Sequence, residues 1–194
     1  MNIKESYRKY RWFFTTSGKL VVGGKNAEQN EYLLQELKKS NEDRIVMHTA
    51  SPGSPFSIIV DEIKKVTKKD KEECAVFTAC FSQAWKKGKK TEVHIFRLSQ
   101  LDKNSRMKIG TWEVFGKIDK INAELKFVLI KQKDVLRAVP AITAKNKETF
   151  GTILPGKENK ESLISDILRL LNFKVNKEDI LSALPAGGIK IKRI

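Results

Sequence analysis

The sequence predicts an α+β fold, a mixed β-sheet with packed helices and a small helical C-terminal extension. Three features predict it. Short β-rich runs alternate with helical stretches instead of forming one block of either kind. Glycine and proline punctuate those runs at close intervals. The last third turns to two short apolar-striped segments, each behind an asparagine. With 194 residues, 40% of them hydrophobic, the chain can bury a substantial core. The change of character sets the expected boundary: residues 1–144 as the main domain, residues 145–194 as an extension or subdomain.

Residues 11–15 and 19–22 read as a hairpin turned at Ser17-Gly18. Gly23-Gly24 ends its second strand. Asn26 is then a good helix N-cap, with Gln29 three residues on completing a capping box. Leu33, Leu34 and Leu37 give the helix one apolar stripe, and Lys38-Lys39 suit its negative end. Residues 44–48 read as a strand and 50–55 as a loop set by Pro52, Gly53 and Pro55. Residues 56–60 read as a buried strand, and 64–71 as a solvated, lysine-rich connection. Residues 73–85 form the clearest helix: Phe77, Cys80, Phe81, Ala84 and Trp85 recur at helical spacing, and Gly88 stops it. Strands follow at 93–98, 110–115 and 125–130, with a turn near 117–122. In the last third, residues 150–154 are a short strand. Asn159 caps a helix carrying Leu163, Ile164, Ile167, Leu168 and Leu171. Asn176 caps another, with Ile180, Leu181 and Leu184. Ile189 and Ile191 alternate with Lys190 and Lys192 in a closing edge strand.

The formal net charge is +15, which biases partners towards polyanions. Nucleic acid comes first, an anionic membrane surface second, and a merely lysine-rich surface third. No apolar run is long enough to cross a bilayer, and the N-terminus has no signal-peptide core. Cys74 and Cys80 read as small buried apolar residues, with neither disulfide nor zinc spacing. A reduced, cytoplasmic setting is therefore expected. His48 and His94 have no metal-ligand partner at short spacing, and no Ser-His-acid or Cys-His arrangement is readable. The expectation is a protein that is not an enzyme, without cofactor, metal or small-molecule substrate.

Interaction chemistry concentrates near the start. Tyr7, Tyr10, Trp12, Phe13 and Phe14 interleave with Arg8, Lys9 and Arg11. On a strand, Tyr10, Trp12 and Phe14 share one face, and Arg11 and Phe13 the other. Exposed rings stack on bases at about 1–3 kcal/mol each while cations neutralise the backbone; alternatively the rings are core. At Gly23-Gly24-Lys25-Asn26, amides at a helix start attract anions and Lys25 adds a point charge. The alternative there is a tight turn into a capped helix. It is not a Walker A loop, because Lys25 is followed by Asn26 where Ser or Thr is needed. Three basic clusters complete the set: Lys64-Lys65 with Lys68-Lys69, Lys86-Lys87 with Lys89-Lys90, and Lys190, Lys192 and Arg193. They form a phosphate track if the fold gathers them. The candidate nucleic-acid-binding residues are Arg8, Tyr10, Arg11, Trp12, Gly23, Gly24, Lys25, Asn26, Asn30, His48, Lys86 and Lys87.

Tyr10-Arg11-Trp12-Phe13, the Gly24-Lys25-Asn26 turn, Asn30-Glu31, the strand ending in His48 and Gly53-Ser54 together resemble the NFACT-R domain family. Phe81-Ser82-Gln83-Ala84-Trp85-Lys86-Lys87-Gly88 resembles that family's Phe/Tyr-Ser-x-Ala-Trp-Lys-x-Gly helix. Gly110-Thr111-Trp112 with Gly116-Lys117 looks like its Gly-x-Phe…Gly-Lys hairpin. Leu154-Pro155-Gly156-Lys157 and Leu184-Pro185-Ala186-Gly187-Gly188 are similar to the closing segment of archaeal and eukaryotic members. The resemblance runs along essentially the whole chain. It implies the RNA-binding C-terminal domain of the ribosome-quality-control proteins of the NEMF and RqcH type, here in a stand-alone, archaeal-like form. The implied partners are tRNA or ribosomal RNA and the large ribosomal subunit. Where many members carry Gly-Lys-Arg-Asn-Tyr, this chain has Gly116-Lys117-Ile118-Asp119-Lys120, so that basic-aromatic contact is not carried over. Two other readings stand beside this one: a nucleic-acid-processing enzyme using His48, and a protein-interaction adaptor docking through a sheet edge and the C-terminal helices.

Overall fold

The computed structural model describes residues 3–193. A short helix, α1 (Ile3–Ser6), leads into a hairpin of β1 (Arg11–Phe14) and β2 (Leu20–Gly23), which pairs Arg11 with Gly23. Gly18 turns it at φ +82°. Then come α2 (Ala27–Lys38), β3 (Ile45–Thr49), β4 (Ser57–Ile59), α3 (Lys68–Cys80) and β5 (Lys90–Arg97). A small ribbon, β6 (Leu101–Asp102) with β7 (Glu113–Val114), precedes β8 (Asp119–Glu124), β9 (Phe127–Gln132) and β10 (Val135–Pro140). The chain ends with β11 (Gly151–Glu158), α4 (Ile164–Leu170), α5 (Lys177–Ala183) and β12 (Ile189–Lys192).

The large sheet has the order β1-β2-β4-β3-β5-β8, and a second sheet the order β10-β9-β11-β12. The α+β class stands as predicted, with antiparallel pairing throughout the described residues where a mixed sheet was expected. The reason lies in β4. Strands β2 and β3, joined by α2, run the same way, but β4 is inserted between them and pairs antiparallel with both. The second sheet takes β9 and β10 from before residue 144 and β11 and β12 from after it.

Both faces of the large sheet are covered over its central strands, so β2, β3 and β4 are buried on both sides. Tyr10, Trp12, Val22, Val46, Ile58 and Phe96 meet Leu33, Leu34 and Leu37 of α2. Phe13, Val21, Met47, Ile59 and Ile95 face Phe77 of α3 and, beyond it, Phe127, Leu129 and Ile153 of the second sheet. Carboxylates of α3 clamp the tip of the first hairpin. Asp70 accepts from Thr15 and Ser17 and pairs with Lys19; Glu73 accepts from the Thr16 amide at 2.8 Å and from Thr143 at 2.6 Å. On the free side of β1, the buried Gln132 amide side chain accepts from the Phe14 N–H at 2.9 Å and donates to the Phe14 carbonyl at 2.8 Å. That amide imitates a strand neighbour and ties the two sheets together. Cys74 and Cys80 are buried, and burial pushes both thiols up.

Several elements differ from the sequence reading. Helix α3 starts at Lys68, inside the stretch expected to be a solvated connection, because Thr67 and Asp70 form a reciprocal capping box. It ends at Cys80. Ser82 bonds back to the Ala79 carbonyl and accepts from the Ala84 N–H, so Trp85 falls in a separate 3-10 turn, Gln83–Lys86. The turn expected near 117–122 is edge strand β8, whose polar alternation hides it, and the strand expected at 110–115 pairs only over β7. Strand β10 was not foreseen. Asn159 does not cap α4; its side chain accepts from the Glu161 N–H in the preceding turn. Asn176 does cap α5, accepting from the Asp179 N–H.

Candidate nucleic-acid interface

A cleft of about 620 Å³ opens where the start of β1, the β2–α2 turn, the end of β3 and the β6–β7 ribbon meet. Six of the sequence-derived candidates line it: Arg11, Gly24, Lys25, Asn26, Asn30 and His48.

The turn is built for close approach. A side chain at Gly24 would place its Cβ 2.3 Å from Asn30 Oδ1 and 2.7 Å from the Asn30 nitrogen. Asn30 is fixed there because its Oδ1 accepts the Phe56 N–H at 3.1 Å. Asn26 caps α2 by accepting the Gln29 N–H at 2.8 Å, and Gln29 Oε1 accepts the Lys25 N–H at 3.0 Å. The reciprocal bond of the cap thus falls on Lys25 instead of Asn26, and that amide is occupied. Gly23 lies inside the sheet, opposite Arg11 on one side and Ser57 on the other.

Neither cation of the cleft has an ion-pair partner among the described residues. The Arg11 guanidinium lies 4.3 Å over the Phe81 ring and joins none of the ion pairs among the described residues. Burial pushes its pKa down to about 10. Lys25 is exposed; partial desolvation at the turn and then repulsion from Arg11 and Arg137 push it down. His48 is half-buried and lies against Phe56, ring centroids 4.6 Å apart. Burial holds its pKa below the ordinary value. Its Nδ1 sits 2.7 Å from the Thr49 carbonyl, which can only accept. The neutral ring therefore keeps its proton on Nδ1 and leaves Nε2 as an acceptor. The partner of His48 is a carbonyl, not a carboxylate. The opposite wall is apolar: Ile109 is 61% exposed, Val114 is exposed beside it, and Trp112 is half-buried below.

The other candidates sit elsewhere. Tyr10 and Trp12 are 1% and 2% exposed, and the sequence reading of them as base-stacking rings gives way to the core alternative. Tyr7, Phe14 and the Arg137 guanidinium enclose Trp12, so neither of its faces is open. Arg8 is exposed, donates to the Lys133 carbonyl and lines a second, smaller pocket. Lys86 and Lys87 are exposed, with the stem of Lys86 near Gly187, and line neither pocket. Lys64 and Lys65 both bind Glu62. Sequence reasoning missed Arg137 and, although it read a strand at 110–115, did not place Ile109, Trp112 and Val114 at the site. A lone arginine inside Val135-Leu136-Arg137-Ala138-Val139 was the available signal for the first.

Residues 9–116 match the family described as the NFACT protein RNA binding domain. The chain belongs to that family. The NFACT RNA-binding match encloses the first hairpin, the capped turn, His48 and the ribbon, and ends before β8. The chain is also 27% identical over 197 aligned residues to the archaeal Rqc2 homolog aRqcH of Methanocaldococcus jannaschii. That alignment covers 95% of this chain and 29% of the relative, so the chain spans under a third of that protein's length. The C-terminal part of the fibronectin/fibrinogen-binding protein from Streptococcus suis has a similar fold. Its TM-score is 0.52 at 21% identity, over 58% of this chain and 44% of that one. Among the described residues no helix is long and apolar enough to cross a membrane, and no three His, Cys, Asp or Glu side chains group as a metal site.

Proposed function

We propose that this NFACT RNA-binding chain holds tRNA or ribosomal RNA non-covalently, in the cytoplasm, as part of quality control of stalled translation at the large ribosomal subunit. The observation that carries the reading is Arg11, withdrawn from water without an ion pair among the described residues, with the exposed Lys25 beside it at the mouth of a cleft with ring-lined walls. A buried cation without a counter-ion is costly, and a phosphate removes that cost. The half-buried rings of His48 and Trp112 and the exposed Ile109 suit one unpaired nucleotide. Neutral His48 can accept from a ribose 2′-hydroxyl or a base N–H. A duplex hides its base faces, so the cleft suits loops and single-stranded ends. The connection with stalled translation is supported by the family and by the Rqc2-homolog relative.

The test is anisotropy titration of a labelled tRNA, a ribosomal RNA loop and a matched duplex, each over a salt series. Arg11 and Lys25 predict log K falling by at least about 1.4 per tenfold salt at ~0.7 per single-strand contact. Arg11→Gln with Lys25→Ala should remove that component. Salt-independent binding, or a double variant that binds as wild type does, defeats the reading.

A further inference from the structure

A second pocket of about 270 Å³ opens beside the cleft and shares Lys25 with it. Strand β10 supplies Arg137, 7% exposed, whose guanidinium lies 4.5 Å over Trp12. Its Nε is buried without a hydrogen-bond partner, and the residue joins none of the ion pairs among the described residues. Burial pushes its pKa down to about 10, and Arg8 repels it further. A guanidinium seated over a ring still carries its planar fork of donors, the arrangement that suits phosphate oxygens. Arg8 and Lys25 stand at the same pocket. The opposing charge comes from the first turn of α5: Glu178 and Asp179 line the far side, and Asp179 attracts Arg137 from beyond ion-pair distance. Three cations therefore face two carboxylates.

We propose that this pocket is a second RNA-phosphate subsite, built on Arg137 with Arg8 and Lys25 and tempered by the acidic turn of α5. The inference rests on the RNA-binding reading above. Lys25 borders both pockets, so it sets the path: the RNA backbone leaves the cleft over Lys25 and places its next phosphates against Arg137. Arg137, Glu178 and Asp179 all lie outside residues 9–116, so this subsite comes from the part of the chain beyond the family match. The acidic turn lowers affinity and penalises any ligand that cannot outbid two carboxylates for the arginine.

The experiment compares wild type with Arg8→Ala, Arg137→Lys, Asp179→Asn and Arg11→Gln in anisotropy titrations of single-stranded RNA over a salt series. Thermal unfolding of each variant is followed alongside. Arg8→Ala and Arg137→Lys should weaken binding roughly three- to thirtyfold, and Arg8→Ala should lower the salt slope by about 0.7. Asp179→Asn should tighten binding roughly two- to fivefold at low salt, a gain that a purely structural Arg137–Asp179 attraction does not produce. Should Arg137→Lys fail to fold, Arg8→Ala and Asp179→Asn carry the test alone. If Arg11→Gln weakens binding while Arg8→Ala and Asp179→Asn match wild type in affinity and slope, the second subsite is refuted and the RNA-binding reading survives. If wild type binds no RNA at any salt, the RNA-binding reading itself fails and the subsite with it.

Discussion

Replacing Arg11 by methionine should strengthen the fold and weaken RNA binding at once. The guanidinium is pushed by burial from the usual arginine value to about 10, with no carboxylate to offset it. Each pKa unit of such a displacement corresponds to about 1.4 kcal/mol, so carrying the charge in the folded state costs roughly 3 kcal/mol. Its stack on Phe81, at 4.3 Å, returns about 1–2 kcal/mol. Methionine fills a similar volume and keeps a sulfur–ring contact of about 0.3–1.5 kcal/mol. The balance favours the variant by about 1–3 kcal/mol, or roughly 2–12 °C in Tm for a chain of this size. Binding moves the other way. One charge-assisted hydrogen bond of about 1.5–3 kcal/mol is lost, so affinity falls by about ten- to a hundredfold and the salt slope by about 0.7. Scanning calorimetry and anisotropy on the same preparation read both quantities. A Tm lowered by several degrees would make Arg11 a packing strut, and an unchanged affinity would place the phosphate elsewhere; either result refutes the reasoning.

Three further outcomes are expected. Gly24→Ala should lower stability by about 2–5 kcal/mol in denaturant unfolding, since its Cβ collides with Asn30 and the Phe56 amide loses its acceptor; a loss under 0.5 kcal/mol would mean the turn yields freely. Glu31→Gln should release the ribbon. Glu31 accepts from Lys103 Nζ at 2.5 Å and the Gly110 N–H at 2.9 Å, so hydrogen exchange across residues 103–114 should quicken, and unaltered protection would show that the ribbon is held by other contacts. For His48, burial and the facing His94 hold the folded pKa below the ordinary value. The unfolded chain therefore takes up the proton first, so this contribution to stability is intact above about pH 6.5 and is lost as pH falls below it. Urea unfolding between pH 7.5 and 5 should show the decline, and His48→Gln should remove that part of it; an identical decline in the variant would assign the effect to other groups.

Much of this was legible in the sequence where a signal is local. The Ser17-Gly18 hairpin, the Asn26 cap and the Leu33–Leu34–Leu37 stripe each depend on residues within one or two turns. What failed needed tertiary information. Whether Trp12 stacks on a base or on Arg137 is decided by β10, more than a hundred residues away. The antiparallel sheet depends on β4 entering between β2 and β3, which nothing in the crossover announces. Helix α3 was missed at its start for another reason: Thr67-x-x-Asp70 is a readable capping box, obscured by the lysines around it. In the site, the type of chemistry was readable at Arg11, Lys25 and His48. The absence of an ion pair to Arg11 or Lys25 among the described residues was not, because it is a property of the folded neighbourhood.

Burial without an ion pair separates Arg11 and Arg137 from the rest of a strongly basic surface. Some exposed cations are already matched: Lys64 and Lys65 with Glu62, Lys90 with Glu124, Lys120 with Glu92, Lys131 with Asp134 and Arg169 with Asp166. Such solvated pairs are worth about 0–1 kcal/mol each, and a phosphate gains little by competing for them. At physiological salt the screening length is about 8 Å, so distant lysines speed encounter more than they hold the complex. Arg11 and Arg137 differ in kind. Their solvation is already partly stripped and both repel the exposed Lys25 beside them, so a phosphate arriving there would meet less water to displace and relieve that repulsion. The net charge of +15 favours the approach of RNA, and the proposed place of holding is the cluster in which Arg11 and Arg137 are withdrawn from water without an ion pair among the described residues.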